Sequence, residues 1–174
     1  LSMASPEGEE NYPGNLSVQV RYSLIDGELR IEYAAMSDRK TVINMTNHAC
    51  INLNGEAEGD VLDHTLTINA DKITPTDDAL IPHGSFRNVT GTPFDFRVPH
   101  KIGERIGDTS DADIVRQQGY DVNYSLNKRP NEFVKAAEVS SEQTGITMEV
   151  LTNKPALQLY TCNTMNSDGK SGHY

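Results

Sequence analysis

His48 lies in the run Asn44-Met45-Thr46-Asn47-His48-Ala49-Cys50-Ile51-Asn52-Leu53-Asn54-Gly55. An imidazole titrates near neutrality, so it can give or take a proton at working pH with little tuning. Asn and Thr side chains crowd this run although apolar residues flank it. A buried amide has several hydrogen-bonding sites to satisfy. The pattern therefore reads as a buried polar cluster that would fix the ring's tautomer and orientation. It reads equally well as a core histidine satisfied by its neighbours, and residue types alone leave both readings open. Asp121 is the second candidate, in Gly119-Tyr120-Asp121-Val122-Asn123-Tyr124. A carboxylate among tyrosines can grip sugar hydroxyls; it can also simply end a loop. His64 follows Asp63 at the start of a strand and reads as a strand-end histidine bonded to backbone or to Asp63. His83 sits in a turn and His100 in a polar surface stretch. Cys50 and Cys162 are too few for a disulfide framework and read as two buried free thiols, with a single bridge as the alternative. Zinc-ligand spacings, a Gly-x-Ser-x-Gly elbow, a P-loop and Gly-x-Gly-x-x-Gly are all absent.

The elements that would position these residues follow a period of two. Leu16, Val18, Val20 and Tyr22 alternate with Ser17, Gln19, Arg21 and Ser23, which predicts a strand with one buried face. Asp26-Gly27 is a hairpin turn signal, and Leu29, Ile31 and Tyr33 alternate after it. Further strands are expected over 41–45, 65–70, 133–139, 146–152 and 157–161. Residues 143–145 form the turn between the third and fourth of these. Pro75, Pro82, Gly84, Gly91 and Pro93 break 72–97 into short extended pieces. Residues 111–118 have helical propensity over a short stretch. About seven or eight short strands without a long amphipathic helix predict an all-β fold, a sandwich or a barrel.

The chain has 174 residues, 15 Lys+Arg against 25 Asp+Glu, and a formal charge of −10. That balance argues against nucleic acid and anionic membrane surfaces as partners, because both need a positive face. No apolar run approaches the roughly 20 residues of a membrane helix. Nothing at the N-terminus has the pattern of a signal peptide. Trp is absent, so aromatic contacts to a ligand fall to seven Tyr and four Phe.

Six segments, in order, resemble the aldose 1-epimerase (galactose mutarotase) family. Ser5-Pro6-Glu7-Gly8-Glu9-Glu10-Asn11-Tyr12-Pro13-Gly14 resembles its Ser-Pro-Asp-Gly-Glu-Glu-Gly-Tyr-Pro-Gly lead-in to a strand. The run from Asn44 to Leu53 resembles its Asn-x-Thr-Asn-His-x-Tyr-Phe-Asn-Leu motif. Ala70-Asp71, Thr74-Pro75-Thr76-Asp77 and Leu80-Ile81-Pro82 follow its spacing. Gly91-Thr92-Pro93-Phe94-Asp95-Phe96-Arg97 and Gly119-Tyr120-Asp121 match it closely. Pro155-Ala156-Leu157-Gln158-Leu159-Tyr160-Thr161 resembles its late Pro-Gly-x-Gln-x-Tyr-Thr strand. The resemblance implies an antiparallel β-sandwich of the mutarotase kind, with residues 1–174 as part of one such domain, in a cytoplasmic protein. It implies interconversion of the α and β anomers of a galactose- or glucose-type hexose. In that family a histidine of the Thr-Asn-His motif protonates the ring oxygen, and a glutamate takes the proton of the anomeric hydroxyl. The ring then opens, the C1–C2 bond rotates and the ring recloses. By resemblance, His48 is the acid, and Asp121 and Gln158 hold sugar hydroxyls. No metal and no organic cofactor is implied.

The departures from the family pattern shape the expectation. Its catalytic glutamate stands in a Leu-Glu-Thr-Gln motif shortly after Gly-Lys-x-Gly. Here Gly169-Lys170-Ser171-Gly172 is followed only by His173 and Tyr174, so no position matches the base. Also unmatched are a substrate-contacting arginine and a second histidine from the family's upstream half. The sandwich is thus expected to be incomplete, and the polypeptide alone to be inactive. Another chain, or more of the same protein, would then complete it. Cys50-Ile51 stands where the family has Tyr-Phe, and Val122 where it has His. The rival expectation is a non-catalytic carbohydrate-binding domain on the same fold. A third, a sugar phosphate as substrate, would call on Arg97 and Lys101, although Arg97 is more simply an ion-pair partner of Asp95.

Overall fold

The computed structural model describes residues 1–56 and 58–164. The chain divides into two compact units, Leu1–Ala49 and Cys50–Tyr174. The first unit is built on the expected hairpin. Strands β2 (Leu16–Ile25) and β3 (Glu28–Ser37) pair antiparallel along their full length, from Leu16↔Ser37 to Ile25↔Glu28. Asp26 and Gly27 join them, with φ of 51° and 80°. Two successive positive φ values match the right-handed twist of the strands, which is why Asp-Gly suits this turn. Strand β1 (Ser2–Ser5) adds to the other edge of β2. Leu16, Val18 and Val20 are half-buried while Ser17, Gln19 and Arg21 face out, as the alternation requires. Beside the turn Leu24 (78%), Ile25 and Leu29 are exposed, as is Met36 (75%) near the far end of β3, while Ile31 and Tyr33 are half-buried.

The second unit holds two four-stranded antiparallel sheets. One has the order β10 (Thr147–Thr152), β9 (Val134–Ser140), β4 (Thr65–Ile68), β7 (His100–Lys101). The other has the order β11 (Ala156–Tyr160), β8 (Asp121–Ser125), β5 (Lys72–Thr74), β6 (Arg87–Asn88). Leu66, Ile68, Ala136 and Ala137 of the first sheet and Ile73, Val122 and Tyr124 of the second share one buried core. Phe94 and Phe96, from the loop between β6 and β7, enter that core and pack edge-on to Tyr120, with ring centroids 5.8 and 5.3 Å away. The fold is all-β, as the short alternating strands predict.

Two expectations are corrected. Residues 41–45 form no strand: among the described residues no neighbour pairs with them, and Val42 and Ile43 are exposed. A β-branched run becomes a strand only where an adjacent strand takes its backbone groups. The cysteines are not both buried: Cys50 is exposed and Cys162 half-buried, because each lies on irregular chain at the unit's surface. The short helix does form, as α1 (Ala112–Gln117), with the Asp111 side chain capping Asp113 N–H at 3.0 Å.

Candidate active site

Period-two alternation gives the β11-β8-β5-β6 sheet a polar face. Asp121, Asn123 and Ser125 of β8 point one way, and buried Val122 and Tyr124 the other. Gln158 of β11 pairs in register with Asn123, Tyr160 with Asp121, and Thr74 of β5 with Asn123. Directly opposed residues share a face. The side chains are joined there: Gln158 Nε2 donates to Asp121 Oδ1 at 2.8 Å, and Asn123 Nδ2 donates to Thr74 Oγ1 at 2.5 Å. Two of the three predicted site residues, Asp121 and Gln158, are thus in direct contact on an open surface. Asn123 and Thr74 extend the same polar strip. Their signal in the sequence was the polar phase of Asp121-Val122-Asn123-Tyr124-Ser125.

Asp121 is held by its surroundings. Its backbone N–H donates to the side-chain carbonyl of buried Gln117, at the end of α1, at 3.2 Å. Gly119 precedes it with φ of 138°, and a Cβ there would lie 2.5 Å from the Asn163 side chain. Asn163 Nδ2 uses that space to donate to Gln117 O (2.9 Å) and Tyr120 O (3.0 Å). Tyr120 N–H donates to Thr161 Oγ1, and Thr161 N–H to Tyr120 O. The tyrosines expected to flank the carboxylate do something else. Tyr120 and Tyr124 are fully buried and donate their hydroxyls to Pro93 O and Phe94 O, each at 3.0 Å. Burial pushes the Tyr120 hydroxyl up to about 12 and raises Tyr124 as well. The tyrosine opposite Asp121 is Tyr160.

His48 belongs to the first unit, on irregular chain after β3. It is exposed, so neither the buried polar cluster nor the satisfied core histidine describes this run. The asparagines turn the backbone instead. Asn47 Oδ1 accepts Ala49 N–H at 3.0 Å, and Asn52 Oδ1 accepts Asn54 N–H at 2.9 Å. Asn52 Nδ2 donates to Gly59 O at 3.2 Å. His64 is 2% exposed, and its Nε2 accepts Leu53 N–H at 3.1 Å, the backbone-bonded role its position suggests.

Arg97, Lys101 and Arg87 are held in ion pairs. Arg97 pairs with Asp95 (2.7 Å) and Asp71 (3.2 Å), which holds Asp95 below the usual carboxylate range. Lys101 faces Asp63 and Glu142. Neither is a free cation for a phosphate. Arg87 forks between Asp111 and Asp113 and so ties β6 to the start of α1. Burial pushes Asp111 up, but the Arg87 hydrogen bonds and the Asp113 and Ile114 N–H groups outweigh it and leave the carboxyl lowered. Among the described residues no three His, Cys, Asp or Glu side chains converge as a metal site.

A family model described as aldose 1-epimerase matches residues 1–173. The chain belongs to the aldose 1-epimerase family. It is 39% identical to the galactose mutarotase of Sus scrofa, over 99% of this chain and 49% of that protein. It is 36% identical to the aldose 1-epimerase of Escherichia coli K12, with the same coverage. The crystal structure of galactose 1-epimerase from Lactobacillus acidophilus superposes with a TM-score of 0.83 at 36% identity, covering 97% of this chain and 48% of that one. The chain therefore spans about half the length of the curated relatives it matches. The Gly169-Lys170-Ser171-Gly172 stretch and His173 lie outside the described residues.

Proposed function

We propose that the protein interconverts the anomers of a galactose- or glucose-type hexose. In this reading His48 is the general acid at the ring oxygen, and Asp121 and Gln158 hold sugar hydroxyls. The observation that carries it is the Asp121–Gln158 pair on the polar strip of β8 and β11, in a chain of the aldose 1-epimerase family. A carboxylate oxygen and an amide carbonyl supply acceptors, and the amide N–H₂ supplies donors, which suits vicinal hydroxyls. Ring opening needs a proton removed at O1 and one delivered at O5, and reclosure reverses both roles. An exposed imidazole can serve at O5. No position in this chain matches the family's basic glutamate, and this reading assigns the base to a residue outside 1–174. Residues 1–174 are then part of one sandwich domain, which the rest of the protein or another chain completes. A cytoplasmic location belongs to the same reading, and cell fractionation checks it.

The test is polarimetry on freshly dissolved α-galactose and α-glucose. The 174-residue polypeptide alone should not accelerate mutarotation. The product of the full open reading frame should, and His48→Ala should lower its rate on the order of 10²-fold or more. Acceleration by the short chain, abolished by the same substitution, would place a base within it. Sugar binding by the full product without acceleration would favour the non-catalytic carbohydrate-binding alternative.

A further inference from the structure

Cys50 and Cys162 are 112 positions apart in the chain, yet their Sγ atoms lie 3.6 Å apart. Both belong to the second unit and both are free thiols. Neither lies in a strand or helix. The acid–base reading uses neither of them. A disulfide bond is about 2.0 Å long, so the sulfurs must close by about 1.5 Å. Side-chain rotation and a small shift of irregular chain supply that movement, and no sheet pairing has to break. The Cys162 side is anchored, because its neighbours Thr161 and Asn163 are both hydrogen-bonded to Tyr120 O. The Cys50 side is exposed to a reagent from solution.

We propose that Cys50 and Cys162 form a reversible intramolecular disulfide with a small-molecule disulfide as oxidant. Burial and the facing Cys50 sulfur push the Cys162 thiol up, so the exposed Cys50 reacts first. The Cys50 thiolate attacks one sulfur of glutathione disulfide. A mixed disulfide forms and one glutathione thiolate leaves. Cys162 then gives up its proton and attacks the Cys50 sulfur, and the second glutathione thiolate leaves. Two protein thiols are oxidised, one glutathione disulfide is reduced to two thiols, and the two thiol protons end on them. The crosslink ties the chain two positions after His48 to the chain two positions after Tyr160.

The experiment treats the reduced full-length protein with excess glutathione disulfide, blocks residual thiols and digests with trypsin. The tryptic peptides 41–72 and 136–170 should appear as one linked species, two hydrogens lighter than their sum, and dithiothreitol should separate them. The oxidised protein should melt roughly 5–10 °C higher than the reduced one. Cys162→Ser should instead trap glutathione on Cys50 and lose the shift in Tm. The proposal is overturned if the two peptides carry only blocked or glutathionylated cysteines. It is equally overturned if the link forms only between molecules.

Discussion

Asp121 is placed by groups with no share in its chemistry: the Gln117 amide, the bare Cα of Gly119 and the Asn163 side chain. Asp121→Asn should keep this placement and still accept the Gln158 bond, since an amide oxygen replaces a carboxylate oxygen. What it loses is charge. A hydrogen bond to a charged group contributes about 1.5–3 kcal/mol. KM for the hexose should therefore rise roughly tenfold to a hundredfold, with kcat changed less, in steady-state kinetics on the full-length protein. A selective fall in kcat would move Asp121 from binding to chemistry. The sequence singled out Asp121 through Gly119-Tyr120-Asp121 and Gln158 through the late strand motif, and the two side chains are in contact. It misled at the tyrosines and at the asparagines around His48. A tyrosine has the same letter whether its hydroxyl meets a ligand or a buried carbonyl. An asparagine has the same letter whether it orients a ring or turns the backbone. Only the strand phase, and the partner each amide finds, separate those cases.

At the scale of elements, the strands were legible wherever alternation had a paired neighbour. The hairpin closes on the expected Asp26-Gly27, and β9, β10 and β11 fall within one residue of the 133–139, 146–152 and 157–161 expected for them. Residues 41–45 had the composition without the neighbour. The two-residue strands β6 and β7 had no pattern long enough to read. The hold of α1 on its sheet was also invisible, because Arg87 reaches its carboxylates 24 and 26 positions away. Arg87→Met should destabilise the protein by about 3 kcal/mol, since it leaves Asp111 and Asp113 without their shared partner. Denaturant unfolding measures this. The Asp111 carboxyl is lowered in the fold, so its contribution is fully present above the unfolded value near 3.9 and disappears as pH falls below it. Asp111→Asn should therefore flatten the acid limb of the stability profile below about pH 4. An unchanged acid limb would show that other carboxylates govern it.

In the molecule as a whole, the first unit leaves apolar residues open to solvent. Leu24, Leu29 and Met36 stand at 60–78% exposure on β2 and β3. Apolar sheet surface and unpaired strand edges favour association. The isolated 174-residue polypeptide should self-associate in light scattering. On the reading proposed above, in which further sequence or another chain completes the sandwich, the completed protein should not. A monodisperse 19.2 kDa species from the short chain would refute this. The sheet pairings also set a timetable during synthesis. Strand β3 meets β2 as soon as it leaves the ribosome, two residues after its partner ends. Strand β4 pairs with β7 and β9, and its Thr65 meets Ser140. At about 5–20 residues per second, Leu66 and Ile68 wait roughly 4–15 s for that longer strand. For that interval a nascent apolar strand lacks its principal partner, so a chaperone that binds extended, unpaired backbone would find its target there, whereas the hairpin, though apolar residues stand exposed on it, already has its strands paired.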